Sequence, residues 1–500
     1  MTGIEASRRA TYLRTCRLLA VLSSAAALLY LKWLFFDARP DNLVLFYLLV
    51  VAEVFNIAQT AGFWFTIWRQ TWTEPPTPDF AASSETVDIF ITVAGEPTDI
   101  VERTLHGVVR IRHPRASVWL LDDGHSPEIE AMARRHGVGY LTRPDRRGAK
   151  AGNINEALKR TNGDYIVIFD ADHVPAPEFL QRTMGAFDGE RVSFVQTPQY
   201  YANRTENRVA AGAYEQQEFF YGPIMRGRNA LGAVFSCGTN VVFRRAALDE
   251  VGGMPEDSIT EDMRVSLELL RAGWRSVYVP VVLAQGIGPV DVGGYFSQQL
   301  RWARGGLEIL LRRRPFFRGM QPGAMFQYAF SFAYWFTGLA YAAYLVLPFA
   351  YLLFGLRPVQ APNQYPVYFL PYILVTLTTM AYASDFTLTF RALWFTLASF
   401  PVHLWALGSA LWGRTARFVV TPKTAGAASL RPVLVHVAVV LALAAAIVVG
   451  SAMRGLTPAV LNNVAFAMGH VLIVQGFVRY ALRPERSHGD DATGEPSDAV

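Results

Sequence analysis

The stretch YIVIFDADHVP, residues 165–175, decides how this chain folds. Its apolar, β-branched start reads as a buried strand, and it ends on Asp170 and Asp172. Residues i and i+2 of a strand point to the same side, so the spacing predicts two carboxylates aimed at one point in space. Such a pair suits a hard divalent cation beside phosphate groups. An Asp after a strand also serves as a helix N-cap, and the pair alone leaves both readings open. His173 follows directly and is expected to stand behind the ligands rather than among them.

Two upstream stretches have the same form. VDIFITVA (87–94) and SVWLLDD (117–123) are apolar runs ending near acids, each followed by a helix-like segment. Continuous apolar strands alternating with helices predict an α/β domain with a parallel sheet, from Val87 to about Pro289, and a ligand at the strands' C-terminal ends. Asp122 and Asp123 close the second strand. RRGAKAGNINEAL (146–158) adds Gly148, Lys150, Gly152 and Asn153 at a loop-to-helix entry, a setting suited to an anion, although a turn with a helix cap has the same look. Together these features point to a nucleotide diphosphate, with Asp123 and Asp170 toward the donor and Lys150 near its phosphates.

Outside this domain the chain is greasy. Of its 500 residues 52% are hydrophobic, too many for an ordinary soluble enzyme. Long apolar runs flank the domain: residues 16–36 and 43–68 before it, then TGLAYAAYLVLPFAYLLFGL, PYILVTLTTMAYASDF, VLVHVAVVLALAAAIVVG and LNNVAFAMGHVLIVQGFV after it. This predicts about six spans and places the α/β domain in the cytoplasm of a multi-pass protein of the bacterial inner or plasma membrane. The first run is too long for a typical signal-peptide core and is expected to stay as an anchor. The net charge of +5 has arginines beside the apolar runs (Arg8, Arg9, Arg14, Arg414, Arg417, Arg479, Arg483), which fits positive-inside flanks and not a nucleic-acid surface. Cys16 and Cys237 are the only cysteines, so neither a disulfide framework nor a zinc-finger spacing is expected. YFSQQLRWARGGLEILLRRRPFF reads as an amphipathic helix along the membrane surface, and TFRALWFTLASFPVHLWALGSALWG as a further interfacial helix pair.

Downstream of the acids come TPQYY, FSCGTN, SITEDM and SQQLRWARGG, and later RFVVTPK. In order and spacing these resemble the processive branch of the inverting family 2 glycosyltransferases, which includes the catalytic subunits of bacterial cellulose synthase. The resemblance implies a GT-A type, Rossmann-like glycosyltransferase domain joined to transmembrane helices. It implies a UDP-sugar donor, expected to be UDP-glucose, a growing β-linked glycan as acceptor, and Mg2+ or Mn2+ at Asp170 and Asp172. Within TED, Asp262 would be the catalytic base and Glu261 an acceptor contact. A helix cap is the plainer use of those three letters. Gln298, Arg301 and Trp302 match Q(Q/R)xRW: the arginine fork suits a diphosphate, and the indole face suits an acceptor sugar. Cys237 would lie at the acceptor, although a lone cysteine is more often a small buried residue. Phe418, Val420, Thr421 and Lys423 match FxVTxK, a loop over the donor pocket that brings Thr421 and Lys423 to the UDP.

One departure stands out: TVAGEP replaces the family's PTYNE-like string, so Glu96 alone is carried over, without the tyrosine that stacks on uracil. The expected organisation is membrane helices in 1–72, the catalytic domain in 85–290, interfacial helices in 291–322, a membrane region in 323–482 with its gating loop at 416–426, and a disordered tail in 483–500. The tail RPERSHGDDATGEPSDAV is too short to enclose a cyclic-di-GMP-binding barrel, so no such domain is expected. A periplasmic or cell-surface partner for export is a further expectation of the family. The alternatives are a non-processive transferase acting on a lipid acceptor, and a scaffold or transporter with a degenerate nucleotide fold. The intact Asp123, Asp170, Asp172 and Asp262 disfavour the last.

Overall fold

The computed structural model describes residues 3–482, except 81–83, 190, 313–317, 361–363, 388 and 413–429. The expected gating loop at 416–426, with Thr421 and Lys423, and the expected tail therefore lie outside the described residues.

Among the described residues, the α/β region builds ten strands: β1 (Val87–Val93), β2 (Ala116–Asp122), β3 (Gly139–Leu141), β4 (Tyr165–Asp170), β5 (Val174–Pro175), β6 (Val192–Gln196), β7 (Tyr200–Tyr201), β8 (Val241–Arg244), β9 (Arg275–Tyr278) and β10 (Ala284–Gly286). Seven of them form one sheet in the order β3-β2-β1-β4-β8-β6-β9, and β5-β10-β7 form a second, small one. β3, β2, β1 and β4 run parallel, whereas β8 is antiparallel to both β4 and β6. The predicted parallel strands are all present, and β8 makes the sheet mixed.

Every residue of β1 is buried. Ile89, Ile91 and Val93 pack with Val167 and Phe169 on one face of the sheet, and Phe90 with Ile166 and Ile168 on the other. Helices cover both faces, so these strands carry no polar alternation and read as solid apolar runs.

Among the described residues, six helices are long and apolar enough to cross a membrane: Glu5–Asp37, Leu43–Ile67, Pro322–Phe354, Tyr365–Ala383, Arg431–Arg454 and Pro458–Leu482. The helices Phe390–Ala398 and Phe400–Leu411 are too short to do so; the second, at 12 residues, extends only about 18 Å. Val292–Arg312 forms the predicted amphipathic helix. Its apolar face is not bare, because Ala303 and Leu307 pack on Ala406 and Ala410 of the Phe400–Leu411 helix. The buried Tyr295 hydroxyl lies 3.2 Å from Ser399 Oγ. This helix is wedged between the α/β domain and the membrane region, and that position brings its polar residues to the site.

Candidate active site

The strand ends β1, β2 and β4 present Glu96, Asp122–Asp123 and Asp170–Asp172 along one edge of the sheet. The two acids of DAD do converge, but not by the pleat of a strand. β4 stops at Asp170, and a turn closed by the His173 amide on the Asp170 carbonyl (3.0 Å) carries Asp172 round. Asp172 is buried and accepts the backbone N–H of Ile287 at 2.9 Å. That amide follows β10, so the small second sheet is what fixes the second acid. His173 packs on Gly286 of the same strand, where a Cβ would sit 2.3 Å from the imidazole Cε1.

Asp170, Asp172 and His173 offer one ligand atom each within 4.8 Å of one another. Both ring nitrogens of the buried His173 lack a hydrogen-bond partner, although Nδ1 lies 3.3 Å from Asp172 Oδ1. A buried imidazole beside two carboxylates fits a divalent cation, since an unsatisfied ring costs free energy without one. His173, expected behind the ligands, is thus near enough to join the two acids about a cation.

Lys150 comes from the helix Ala149–Arg160, which enters through the left-handed Gly148. Its ammonium pairs with Asp170 and donates to the Gly238 carbonyl at 2.7 Å. Burial pushes the Asp170 carboxyl up, but Lys150 and His173 outweigh it and hold the carboxyl below its usual range. Burial likewise opposes the Lys150 charge, and Asp170, with Glu261 and Asp262 beyond it, more than restores it.

Glu261 and Asp262 open the helix Glu261–Arg271. Asp262 Oδ1 accepts the Met263 N–H at 2.8 Å, so the residue does cap its own helix. Its other oxygen faces Gly238, where a Cβ would meet Oδ2 at 3.1 Å and the φ of +83° already favours glycine. Gly238 thus separates the lysine from the candidate base, touching both. Burial raises both carboxyls; repulsion from Asp262 adds to it for Glu261, which reaches about 7, while Lys150 and Arg301 pull in the other direction. A base must be ionised to accept a proton, so activity is lost as pH falls through a raised pKa. The acid limb of kcat/KM is therefore expected above the ordinary carboxylate range. Lys150→Met should move it further up, and a limb at ordinary carboxylate pH would contradict this electrostatic picture.

Gln298, Arg301 and Trp302 lie on one face of the Val292–Arg312 helix, by their i, i+3, i+4 spacing. The Gln298 amide nitrogen donates to the Tyr201 hydroxyl at 3.2 Å, and Gln217 donates to the same oxygen at 2.6 Å. Arg301 is close enough for its charge to favour ionised Glu261 and Asp262. Trp302 is half-buried beside it. One turn on, Gly305 lies against Thr260, where a Cβ would come within 2.3 Å of the threonine methyl. That close approach docks QQLRW against TED. Gly305→Ala is expected to force the two apart, costing about 1–3 kcal/mol of stability and about 10²-fold in turnover. Thermal unfolding and steady-state kinetics would measure both.

The remaining predicted residues fall in different settings. Glu96 is half-buried and accepts the Ala94 N–H at 2.6 Å; burial and the nearby Asp170 and Asp172 raise its carboxyl. Cys237 packs between two apolar clusters, and burial pushes its thiol up to about 12, so it stays neutral. Asp123 is engaged from behind: Arg143 donates to both of its oxygens at 2.7 Å, and both side chains are buried. Asp122 accepts the Gly124 and Ser126 amides at 2.6 and 2.7 Å and shapes the turn.

Sequence reasoning missed Arg143 and Gln196, and gave no role to Gly238 and Thr239 within FSCGTN. Gln196, fully buried at the end of β6, accepts the Cys237 N–H at 2.8 Å and donates to the Thr239 carbonyl at 2.9 Å. Thr239 Oγ1 accepts the Asp170 N–H at 3.0 Å, tying this loop to DAD, and Gly238 lies between. The polar Gln196 ending the otherwise apolar run VSFVQ was the available signal.

Residues 85–305 match the model of the glycosyltransferase-like family 2, and residues 249–386 match that of cellulose synthase. A cellulose synthase catalytic subunit [UDP-forming] from Komagataeibacter sucrofermentans is 33% identical over 384 residues, covering 74% of this chain and 51% of its own length. That of Pseudomonas fluorescens is 33% identical over 375 residues, covering 71% and 50%. The chain thus spans about half the length of the curated relatives it matches. In fold it is similar to a mannosyltransferase from Pyrobaculum calidifontis solved with GDP-Man and Mn2+ (TM-score 0.50, 19% identity, covering 74% of this chain and 100% of the other), which places the mixed sheet among GT-A folds. With the first model covering DAD and both covering TED and QQLRW, the chain carries a family 2 glycosyltransferase domain and is cellulose-synthase-like in sequence.

Proposed function

We propose that this protein is a membrane-embedded, inverting glycosyltransferase that lengthens a β-linked glycan from a UDP-sugar, UDP-glucose first among them, and passes the product across the bilayer. The observation that carries this reading is the meeting of Lys150, Asp170, Glu261, Asp262 and Arg301 around the Gly238 loop. Cations for a diphosphate lie beside a carboxylate of raised pKa that can take a proton. The acceptor hydroxyl would pass its proton to Asp262 while its oxygen forms a bond to the anomeric carbon from the side opposite UDP. The bond from that carbon to the UDP oxygen breaks, and UDP leaves with the electron pair.

Lys150 and Arg301 favour negative charge in this space, Arg301 by a fork suited to phosphate. Asp170, Asp172 and His173 would hold Mg2+ or Mn2+, which when bound supplies positive charge against the diphosphate. Trp302 offers a flat surface for the acceptor sugar and Cys237 a neutral wall. Glu96 and Asp123 would face the donor nucleoside, Asp123 through the lone pairs that Arg143 leaves. Thr421 and Lys423 would close over the donor. Arg8, Arg9 and Arg14, near the start of the Glu5–Asp37 helix, favour a cytoplasmic catalytic domain in a bacterial inner membrane.

The test is a panel of radiolabelled UDP-sugars given to the protein in lipid vesicles, with and without EDTA, and digestion of the product by linkage-specific glycosidases. A metal-dependent polymer inside the vesicles from one donor is expected. Transfer of one sugar to lipid would replace this reading with the non-processive one, and full activity in EDTA would remove the cation from the site.

A further inference from the structure

We propose a second metal site, for zinc, formed by Glu102, His106 and His136 on the α/β domain. Glu102 and His106 lie one turn apart on the helix Thr98–Val108, and His136 is the last residue of the helix Pro127–His136. Each offers one ligand atom, all within 4.8 Å of one another. His136 Nε2 is 3.8 Å from Glu102 Oε1, and the two imidazoles meet edge to face with ring centroids 5.0 Å apart. Tetrahedral zinc with bonds of about 2.0–2.1 Å brings its ligand atoms to about 3.3 Å from one another. Side chains on the surface can close that difference by rotation, and His106 is exposed.

Two features beyond the cluster favour a cation. His106 lies in the last turn of its helix and His136 ends the other, so two negative helix ends converge here. Arg135 already places its guanidinium 3.2 Å from Glu102 Oε1, a positive charge where the metal would sit. Two imidazoles and one carboxylate leave a fourth position for water and suit Zn2+ much better than Mg2+. The DAD site, richer in carboxylate, has the opposite preference.

The site lies at the far end of the two helices from the catalytic edge. One helix begins just after Glu96 and the other just after Asp123, and each extends more than 10 Å from there, by about 1.5 Å per residue. Bound zinc would clamp together the two helices whose starts carry the donor-facing loops. It stabilises the domain without touching the reacting atoms, as any ligand of the folded state does.

The test uses full-length, untagged protein in detergent, stripped with EDTA and held in excess Mg2+ to fill the DAD site. Zinc is then titrated in competition with a chromophoric chelator. One equivalent is expected, with a rise in unfolding temperature. His106→Gln and His136→Asn should each abolish both effects while sugar transfer in Mg2+ continues, and Arg135→Ala should tighten binding several-fold by removing the competing cation. The proposal is overturned if no zinc binds, if the equivalent persists in both histidine variants, or if Asp172→Asn removes it while His106→Gln does not.

Discussion

Asp262→Asn is expected to lower sugar transfer by about 10³-fold and to leave UDP affinity within about twofold of the wild type. The asparagine keeps the size of the side chain, and its carbonyl oxygen can still accept the Met263 N–H that caps the helix at 2.8 Å. What it loses is the capacity to take a proton from the acceptor. Charge and shape at the donor change little, because Lys150 is held by Asp170 and the Gly238 carbonyl and not by Asp262. Calorimetry with UDP and single-turnover kinetics separate the two quantities. Transfer near the wild-type rate would remove Asp262 from the role of base. Glu261, its neighbour with a pKa raised to about 7, would then be the group to test.

The second large effect is expected at a residue that makes no contact with the reacting groups. Arg143→Ala should destabilise the domain by about 3–5 kcal/mol, because it strands a buried carboxylate. Asp123 would lose both of its 2.7 Å bonds, and the Ala149 carbonyl, at the entrance to the lysine helix, would lose its 2.7 Å partner. Replacing both members, Asp123→Leu with Arg143→Met, should recover much of that loss, since an apolar pair of similar volume needs no charge compensation. Denaturant unfolding of the single and double variants measures the coupling. UDP affinity of the refolded double variant then separates two uses of Asp123. An affinity close to wild type would make Asp123 a brace for the loop, and a loss of tenfold or more would keep it at the donor.

What could be read from the chain alone was whatever is contiguous along it. β1 and β4 are buried on both faces, so they stand out as solid apolar runs, and the six long helices stand out by length and composition. The acids could be found because they sit where such runs stop. Their convergence was foreseen for the wrong reason: the pleat of a strand was invoked, whereas a turn after Asp170 and the Ile287 amide, 115 residues away, place Asp172.

β8 was not legible, because four residues, VVFR, carry too little pattern to show that they insert antiparallel between β4 and β6. Nor were the partners of the predicted residues: Arg143 for Asp123, Gly238 for Lys150 across 88 positions, Thr239 for Asp170, Gln196 for the cysteine loop, Gly305 for Thr260. Hydropathy and spacing are local quantities, and they determined the strands, the spans and the list of chemically able side chains. Which of those side chains are free for a ligand and which are held by another part of the chain depends on pairings between distant segments. Only the packed structure decided that, because a buried charge or amide must find its partner wherever the fold brings one within hydrogen-bond reach.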